Sequence, residues 1–220
     1  MKLYRFPGRS SGSGGARKLF VGGLHGDEGL YTAPILETLA SEVEAEVGDN
    51  NGDLIIVPSL TMGGRYIGVL SEEYYRSREG MILTGLIKRY KPSFYFELHA
   101  YGESSYHRLT NPEREKREGV PPFVDLDDHE HTHNHILLGS IAPVLRELFS
   151  AGDFCLTIEL PKWRSDEEAV REEVMQILRI GLLSLTRTET LTQLRKMYPD
   201  ALKRAEALFI QYYHSRLEPF

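Results

Sequence analysis

The sequence predicts an α/β fold with a mixed, largely parallel central sheet that helices cover on both faces. Two observations lead to this fold class: short apolar runs recur along the chain, and segments with helical spacing of apolar residues separate them. A third observation is that polar residues directly follow several of the apolar runs. At 220 residues, the chain is long enough for one domain with a buried core and an appendage.

Four apolar runs are the predicted strands, at 18–22, 53–57, 93–98 and 154–158. The predicted helices between and after them span 32–47, 71–90, 134–150 and 166–185. Ser71 and Ser165 are predicted as N-caps, because Ser-Glu-Glu opens the second helix and Glu168 follows Ser165 by three positions. Strands that alternate with helices in this way indicate parallel pairing in the centre of the sheet.

The chain is predicted to divide into an α/β domain over 1–187 and a C-terminal helical extension over 188–220. The extension is predicted as two helices, 188–197 and 199–214, with one apolar stripe. Such a stripe indicates packing on the α/β domain or on a second subunit, so a homo-oligomer is one expected assembly.

Charge and composition exclude several classes of partner. The net charge is −6 and no basic stripe is present, which argues against a nucleic-acid partner. No apolar stretch approaches membrane-spanning length, and the N-terminus lacks the apolar core of a signal peptide. We therefore expect no membrane partner and a cytoplasmic location. The single cysteine, Cys155, argues against an internal disulfide and a Cys-rich zinc module, and its apolar surroundings predict a buried thiol.

The stretch FVGGLHGDEGL, residues 20–30, places polar chemistry where a strand gives way to a helix. One interpretation is a tight turn followed by anions, Asp27 and Glu28, that suit a helix N-terminus. The other is a metal site, because His25 and Glu28 stand three residues apart and can converge on one ion. His99 follows another predicted strand, and the carboxyl ends of parallel strands meet along one rim.

His25, Glu28 and His99 supply the three protein ligands that catalytic zinc commonly takes. A general base is then needed to accept a proton from water, and Glu159 is the candidate because it interrupts the apolar run 156–160. The alternative is a glutamate that faces solvent at a strand end. A fixed cation must also meet the charge that develops in the transition state, and Arg65, in a glycine-rich loop, is the first choice.

Three motifs, HGDE at 25–28, FELH at 96–99 and TIELP at 157–161, resemble the zinc carboxypeptidase superfamily. The pattern is most similar to the aspartoacylase and succinylglutamate desuccinylase branch, which has His-Gly-x-Glu, then Asp-Leu-His, then a strand-end Glu. The resemblance implies one zinc per chain, bound by His25, Glu28 and His99, with Glu159 as general base. It further implies an arginine near Arg65 that holds the carbonyl oxygen, and we expect an archaeal member of this superfamily.

The sequence departs from the family pattern at two places. The family grips the substrate carboxylate with an Asn-Arg pair, which the corresponding stretch, 66–80, lacks. Arg76, Arg78 and Tyr101 are weaker substrate-binding candidates, and the two arginines are alternatively solvated helix charges. Glu97 stands where the family motif has an aspartate. It either orients His99 without itself binding the metal, or is simply a buried acid with satisfied hydrogen bonds.

The sequence thus favours a zinc-dependent hydrolase that cleaves an amide bond in a small acylated amino acid or a peptide end. Its partner would be a small-molecule or peptide substrate. The alternative is a catalytically inactive metal-binding protein that acts as a sensor or assembly partner. The missing Asn-Arg pair favours this alternative.

The segment DDHEHTHNH at 127–135 carries alternating histidines at His129, His131, His133 and His135. In a strand these would share one face and could bind a second metal. An exposed lid is the favoured interpretation, because the segment follows a predicted loop rich in proline and charge, 110–122. His107 and His214 are expected at the surface or in packing contacts.

Overall fold

The computed structural model describes residues 1–8, 15–45, 52–61, 63–127, 134–214 and 220. The strands in these ranges are β1 (Tyr4–Phe6), β2 (Lys18–Gly22), β3 (Leu54–Val57), β4 (Phe94–Tyr101), β5 (Val124–Asp125), β6 (Leu137–Gly139) and β7 (Phe154–Pro161). The helices are α1 (Gly29–Ala45), α2 (Glu72–Arg76), α3 (Arg78–Tyr90), α4 (Tyr106–Thr110), α5 (Arg114–Glu118), α6 (Pro143–Arg146), α7 (Glu168–Leu183), α8 (Arg187–Met197) and α9 (Pro199–Tyr213). Short 3₁₀ turns follow β4 and β7, at Glu103–Ser105 and Lys162–Arg164.

All of these strands form one sheet in the order β1–β3–β2–β4–β7–β6–β5. The central strands β3, β2, β4 and β7 are parallel to one another. The outer pairings β1–β3, β7–β6 and β6–β5 are antiparallel. The structure therefore confirms the predicted mixed, largely parallel sheet and adds three short strands at its edges.

Alternate side chains of the strands enter two separate cores, one on each face of the sheet. Phe96 and Ile158 belong to the core that also contains residues of α1, α7, α8 and α9. Tyr95 and Cys155 belong to the core on the other face, with residues of α2, α3 and α6. Helices thus cover both faces as predicted, and Cys155 is a free, buried thiol.

The predicted helix over 134–150 is wrong. Leu137–Gly139 form β6, which pairs with Thr157–Glu159 of β7. Pro143 then starts the four-residue helix α6, where its fixed φ suits the first turn. Without β6, the backbone N–H and C=O groups along one edge of β7 would have no partner strand. Pairing with β6 satisfies these groups and buries Leu137 and Leu138 almost completely, which accounts for the difference.

Serine caps decide two other helix boundaries. Ser71 caps α2 as predicted, but the predicted helix over 71–90 is divided at Ser77. The Ser77 hydroxyl accepts a hydrogen bond from the Gly80 amide and so caps α3.

The predicted cap at Ser165 is wrong, since its hydroxyl donates to the Lys162 carbonyl and α7 begins at Glu168.

The C-terminal helices α8 and α9 lie within one residue of their predicted bounds at each end. Leu191, Leu194 and Leu202 are buried in the same core as α7 and the Phe96 face of the sheet. No helix in the described ranges has the length and apolar character needed to cross a membrane.

Candidate metal centre and active-site cavity

The turn from β2 into α1 carries two of the predicted ligands. Gly23 adopts a left-handed conformation (φ +54°), and a Cβ there would lie 2.2 Å from the Ser59 hydroxyl oxygen and 2.7 Å from Gly29 Cα. Only glycine therefore allows the chain to turn this tightly against its neighbours. The turn brings His25 and Glu28 to the N-terminal end of α1, where both are buried.

The third predicted ligand, His99, lies within β4 on the neighbouring parallel strand. His99 Nδ1 lies 3.3 Å from Glu28 Oε2, and His25 Nδ1 lies 3.5 Å from Glu28 Oε1. One ligand atom from each of these three residues lies within 4.8 Å of the others. The structure thus brings together the three residues that the sequence analysis assigned to zinc.

The donor atoms of this cluster fit a metal ion. His25 Nδ1 and Glu28 Oε2 are buried and have no hydrogen-bond partner among the described residues. Buried polar atoms are normally paired, so unpaired atoms that face one another need an explanation. Two imidazoles and a carboxylate are the donor set of catalytic zinc sites, and an ion between them would satisfy these atoms.

Electrostatics within the cluster are dominated by burial and by the charge of Glu28. Burial lowers the pKa of His25 to about 4, which favours the neutral imidazole that binds metals. Burial opposes ionisation of Glu28, but the adjacent His99 outweighs it and holds the Glu28 pKa below its ordinary value. Burial also opposes the charged form of His99, yet Glu28 raises the His99 pKa well above its ordinary value. These two shifts favour an ionised Glu28 beside His99.

Glu159 lies on the same face of the sheet as His99, directly opposite it in the β4–β7 register. Its neighbours Ile158 and Leu160 point into the core on the other face. Glu159 is half-buried and lines a cavity of about 480 Å³ together with His25, Glu28 and His99. Burial raises the Glu159 pKa to about 7, with a smaller contribution of the same sign from Glu28.

The arginines favoured by the sequence analysis do not line this cavity in the described part of the chain. Arg65 is 78% exposed and pairs with Glu73, beside a smaller groove that adjoins His25. Arg76 is exposed and pairs with Glu72, and Arg78 is an exposed residue at the start of α3. Each of the three arginines faces solvent in this structure, outside the cavity that His25, Glu28 and His99 line. Tyr101 does line the cavity, and its hydroxyl donates to the His135 carbonyl.

Three cations that the sequence analysis missed line the cavity: Arg108, Arg114 and Lys162. Arg108 and Arg114 both donate to Glu118, at 2.6 and 2.9 Å. Arg114 falls in the segment 110–122 that was predicted as a loop, whereas the structure forms α5 there. The four-residue spacing of Arg114 and Glu118 was the available signal for a helical ion pair.

Lys162 follows Glu159 by three residues and lies next to the metal cluster. Its Nζ donates to Asp27 Oδ1 at 2.5 Å, and Asp27 lies between the ligands His25 and Glu28 in sequence. The ion pair connects the end of β7 with the start of α1. Lys162 thus places a positive charge at the edge of the cavity beside the ligand cluster.

The predicted second metal site falls mostly outside the described residues, since His129, His131 and His133 are not among them. His135 is described, and its Nδ1 lies 3.3 and 3.5 Å from Asp125 and Asp127 carboxylate oxygens. Both oxygens of Asp127 accept backbone amide hydrogens, from Asn134 and His135. These bonds connect the Asp127 carboxylate to the backbone of Asn134 and His135. His107 and His214 are exposed.

Comparison with known families gives one match over most of the chain. The model of a family described as "Uncharacterized protein conserved in archaea (DUF2119)" matches residues 13–214. A relative from Methanocaldococcus jannaschii, "Uncharacterized protein MJ0501", is 42% identical over 206 residues, which cover 94% of this chain and 93% of the relative.

Among solved structures, an aspartoacylase family protein from Mesorhizobium loti aligns with a TM-score of 0.45 and 14% identity, over 84% of this chain and 62% of that chain. A metallo-carboxypeptidase from Pseudomonas aeruginosa, solved in complex with (2-guanidinoethylmercapto)succinic acid, aligns with a TM-score of 0.43 and 14% identity. That alignment covers 89% of this chain and 61% of the carboxypeptidase. This chain thus spans less than two thirds of the length of either solved protein.

Proposed function

This chain belongs to the archaeal family described as DUF2119, and we propose that it is a zinc-dependent hydrolase. The observation that carries the proposal is the convergence of His25, Glu28 and His99 beside Glu159 in one cavity. We propose an amide bond of a small acylated amino acid or of a peptide end as its target. The resemblance of the HGDE, FELH and TIELP motifs to zinc carboxypeptidases and aspartoacylases supports that choice.

In this proposal His25, Glu28 and His99 hold one zinc ion. When bound, zinc lowers the pKa of water to about 7 and polarises a carbonyl group. The buried walls exclude bulk water around the ligands, which strengthens every electrostatic interaction inside the cavity.

Glu159 is the proposed general base. Its raised pKa, about 7, suits a group that accepts a proton near neutral pH and returns it to the leaving amine. Glu159 also distinguishes a zinc hydrolase from a catalytically inactive metal-binding protein. A protein that only binds metal does not need an acid of raised pKa on the cavity wall. The hydrolase is therefore favoured over an inactive sensor or assembly partner.

The proposed substrate-facing cations are those already on the cavity wall. Lys162, beside the ligand cluster, is assigned to the negative charge that develops on the carbonyl oxygen. Arg108 and Arg114 share the single carboxylate of Glu118, so one positive charge remains there for an anionic group of the substrate. Arg65 would reach the cavity only after leaving Glu73, and for that reason it is no longer the first choice.

Metal analysis and hydrolysis assays test this function. The purified protein should hold one zinc per chain and should cleave at least one member of a panel of N-acyl amino acids and short peptides. The variant His25→Ala should lose both zinc and turnover, whereas a control variant of a remote exposed histidine, His214→Ala, should keep both.

Two results would contradict the proposal. Full zinc occupancy in His25→Ala would show that the metal is bound elsewhere. One zinc per chain without turnover on any panel member would instead favour the inactive metal-binding protein.

A further inference from the structure

A buried group of polar side chains adjoins His99 on strands β4 and β7. Tyr95, Glu97 and His99 occupy alternate positions of β4 and therefore share one face of the sheet. Thr157 lies directly opposite Glu97 in the register of the neighbouring strand β7. None of the four residues is more than 2% exposed, so their polar atoms depend on one another for hydrogen bonds.

Each oxygen of the Glu97 carboxylate accepts a hydrogen bond from a different strand. The Tyr95 hydroxyl donates to Oε2 at 2.9 Å, and the Thr157 hydroxyl donates to Oε1 at 2.7 Å. Because the two donors approach from separate strands, the carboxylate plane cannot turn without breaking one of these bonds. Glu97 is thus fixed in orientation by Tyr95 and Thr157.

The fixed carboxylate faces one particular nitrogen of His99. Glu97 Oε1 lies 3.4 Å from His99 Nε2, while the other ring nitrogen, Nδ1, lies 3.3 Å from the ligand oxygen Glu28 Oε2. Nε2 is buried and has no hydrogen-bond partner among the described residues, so its contact with Glu97 is an ion-pair contact. The ring therefore stands between two carboxylates, and its orientation decides which nitrogen faces the ligand cluster.

We propose that Tyr95 and Thr157 are positioning residues of the metal centre: they hold Glu97 against His99 Nε2 so that Nδ1 faces the ion. This inference rests on the zinc centre of the proposed function. Histidine ligands depend on such a partner for ring orientation and for basicity. In this arrangement Tyr95 and Thr157 act on the metal centre through Glu97.

Zinc affinity of the folded protein, measured by competition with a chromophoric chelator, tests the proposal. Thr157→Val and Tyr95→Phe each remove one hydroxyl with little change in volume, and each should weaken zinc binding roughly 10- to 100-fold. Thr157→Ser keeps the hydroxyl and should restore the wild-type affinity.

Two control variants remove comparable hydroxyls far from the cluster. Thr190→Val removes a buried hydroxyl that bonds to the Thr186 carbonyl in α8. Tyr198→Phe removes a tyrosine hydroxyl that bonds to Glu173. Both controls should keep the wild-type zinc affinity, even where they lower the melting temperature. Wild-type affinity in both Thr157→Val and Tyr95→Phe would overturn the proposal; if one of them fails to fold, the other decides.

A second readout separates this inference from the proposed function. In the wild-type protein, the Nε2 proton of His99 should be visible by ¹⁵N–¹H NMR with and without zinc, because Glu97 shields it from exchange. In Thr157→Val this signal should broaden or disappear. If the wild type bound no zinc, the proposed function would fail, and persistence of an unchanged Nε2 signal in Thr157→Val would separately overturn the positioning of His99.

Discussion

Glu159 and His99 are paired across two parallel strands, which places a carboxylate of raised pKa beside the cluster of His25, Glu28 and His99. We expect Glu159→Gln to retain zinc, because the three ligands are untouched. Turnover should fall roughly 10²- to 10⁴-fold, the usual contribution of a positioned acid–base group. Steady-state kinetics together with metal analysis of the same preparation would measure both effects.

A matched control for this variant is Glu168→Gln, which changes an exposed glutamate at the start of α7. It should leave turnover and zinc content unchanged. Release of zinc from Glu159→Gln would identify Glu159 as a ligand, and unchanged hydrolysis would exclude it as the base.

Lys18 is a buried residue whose pKa is also shifted. It is 2% exposed at the start of β2, and its ammonium donates to the carbonyls of Leu182 and Ser184 at the end of α7. Burial lowers its pKa to about 8 from the ordinary value of 10.5. Between these two values the unfolded chain holds a proton that the folded protein lacks, so the contribution of Lys18 to stability rises with pH.

The free energy of unfolding should therefore show a pH dependence that Lys18→Met removes. From pH 8 to pH 10, the wild type should gain on the order of 2 kcal/mol relative to Lys18→Met. Urea denaturation at several pH values would measure this difference. Lys88→Met, at an exposed position of α3, should show no such trend, and a wild-type advantage that falls with rising pH would contradict the lowered pKa.

At the scale of helices and strands, the contact of α7 with β4 depends on Gly181. A Cβ there would lie 2.3 Å from Cζ and 2.6 Å from Cε2 of the Phe96 ring. Phe96 is itself buried between neighbouring aromatic rings and cannot move away freely. Gly181→Ala should therefore destabilise the protein by roughly 1–3 kcal/mol, the usual range for overpacking a core.

Gly85 in α3 provides the opposite case within the same chain. It is exposed, and a Cβ there would meet nothing within 4 Å. Gly85→Ala should stabilise the protein by about 1 kcal/mol, because alanine has the higher helix propensity. Urea midpoints of both variants would test the pair; equal effects of the two substitutions would show that the α7–β4 contact is looser than the structure indicates.

At the scale of the whole molecule, the proposed metal centre joins the N-terminal end of α1 to strand β4. Zinc that binds only the folded state stabilises it by about 2.7 kcal/mol when the free ion is at 100 times Kd. For a chain of this length the melting temperature should rise by roughly 5–10 °C. Calorimetry with zinc and then with a chelator would show the rise and its reversal.

His25→Ala should abolish this zinc-dependent rise, because the cluster loses a ligand. An equal rise in His25→Ala would place the stabilising ion elsewhere, and Asp125, Asp127 and His135 would be the next site to examine.

Sequence information was sufficient for features that depend on local pattern. The strand at Lys18–Gly22 was predicted with its observed bounds, and the C-terminal helices nearly so, because apolar periodicity reflects which face is buried. It was insufficient for β6, where helical spacing of apolar residues was overruled by pairing with β7. It was also insufficient for Ser165, whose hydroxyl donates to the Lys162 carbonyl and does not cap α7.

The sequence by itself determined the chemistry of the candidate site: His25, Glu28, His99 and Glu159 were selected by residue type and by their position after apolar strands. Only the tertiary structure decided which cations stand beside them and how Glu97 is held. Arg114, Lys162 and Thr157 reach the site through contacts between segments far apart in the chain. The spacing of residues within one segment cannot predict such contacts, because they form only when the sheet register and the helix packing bring those segments together.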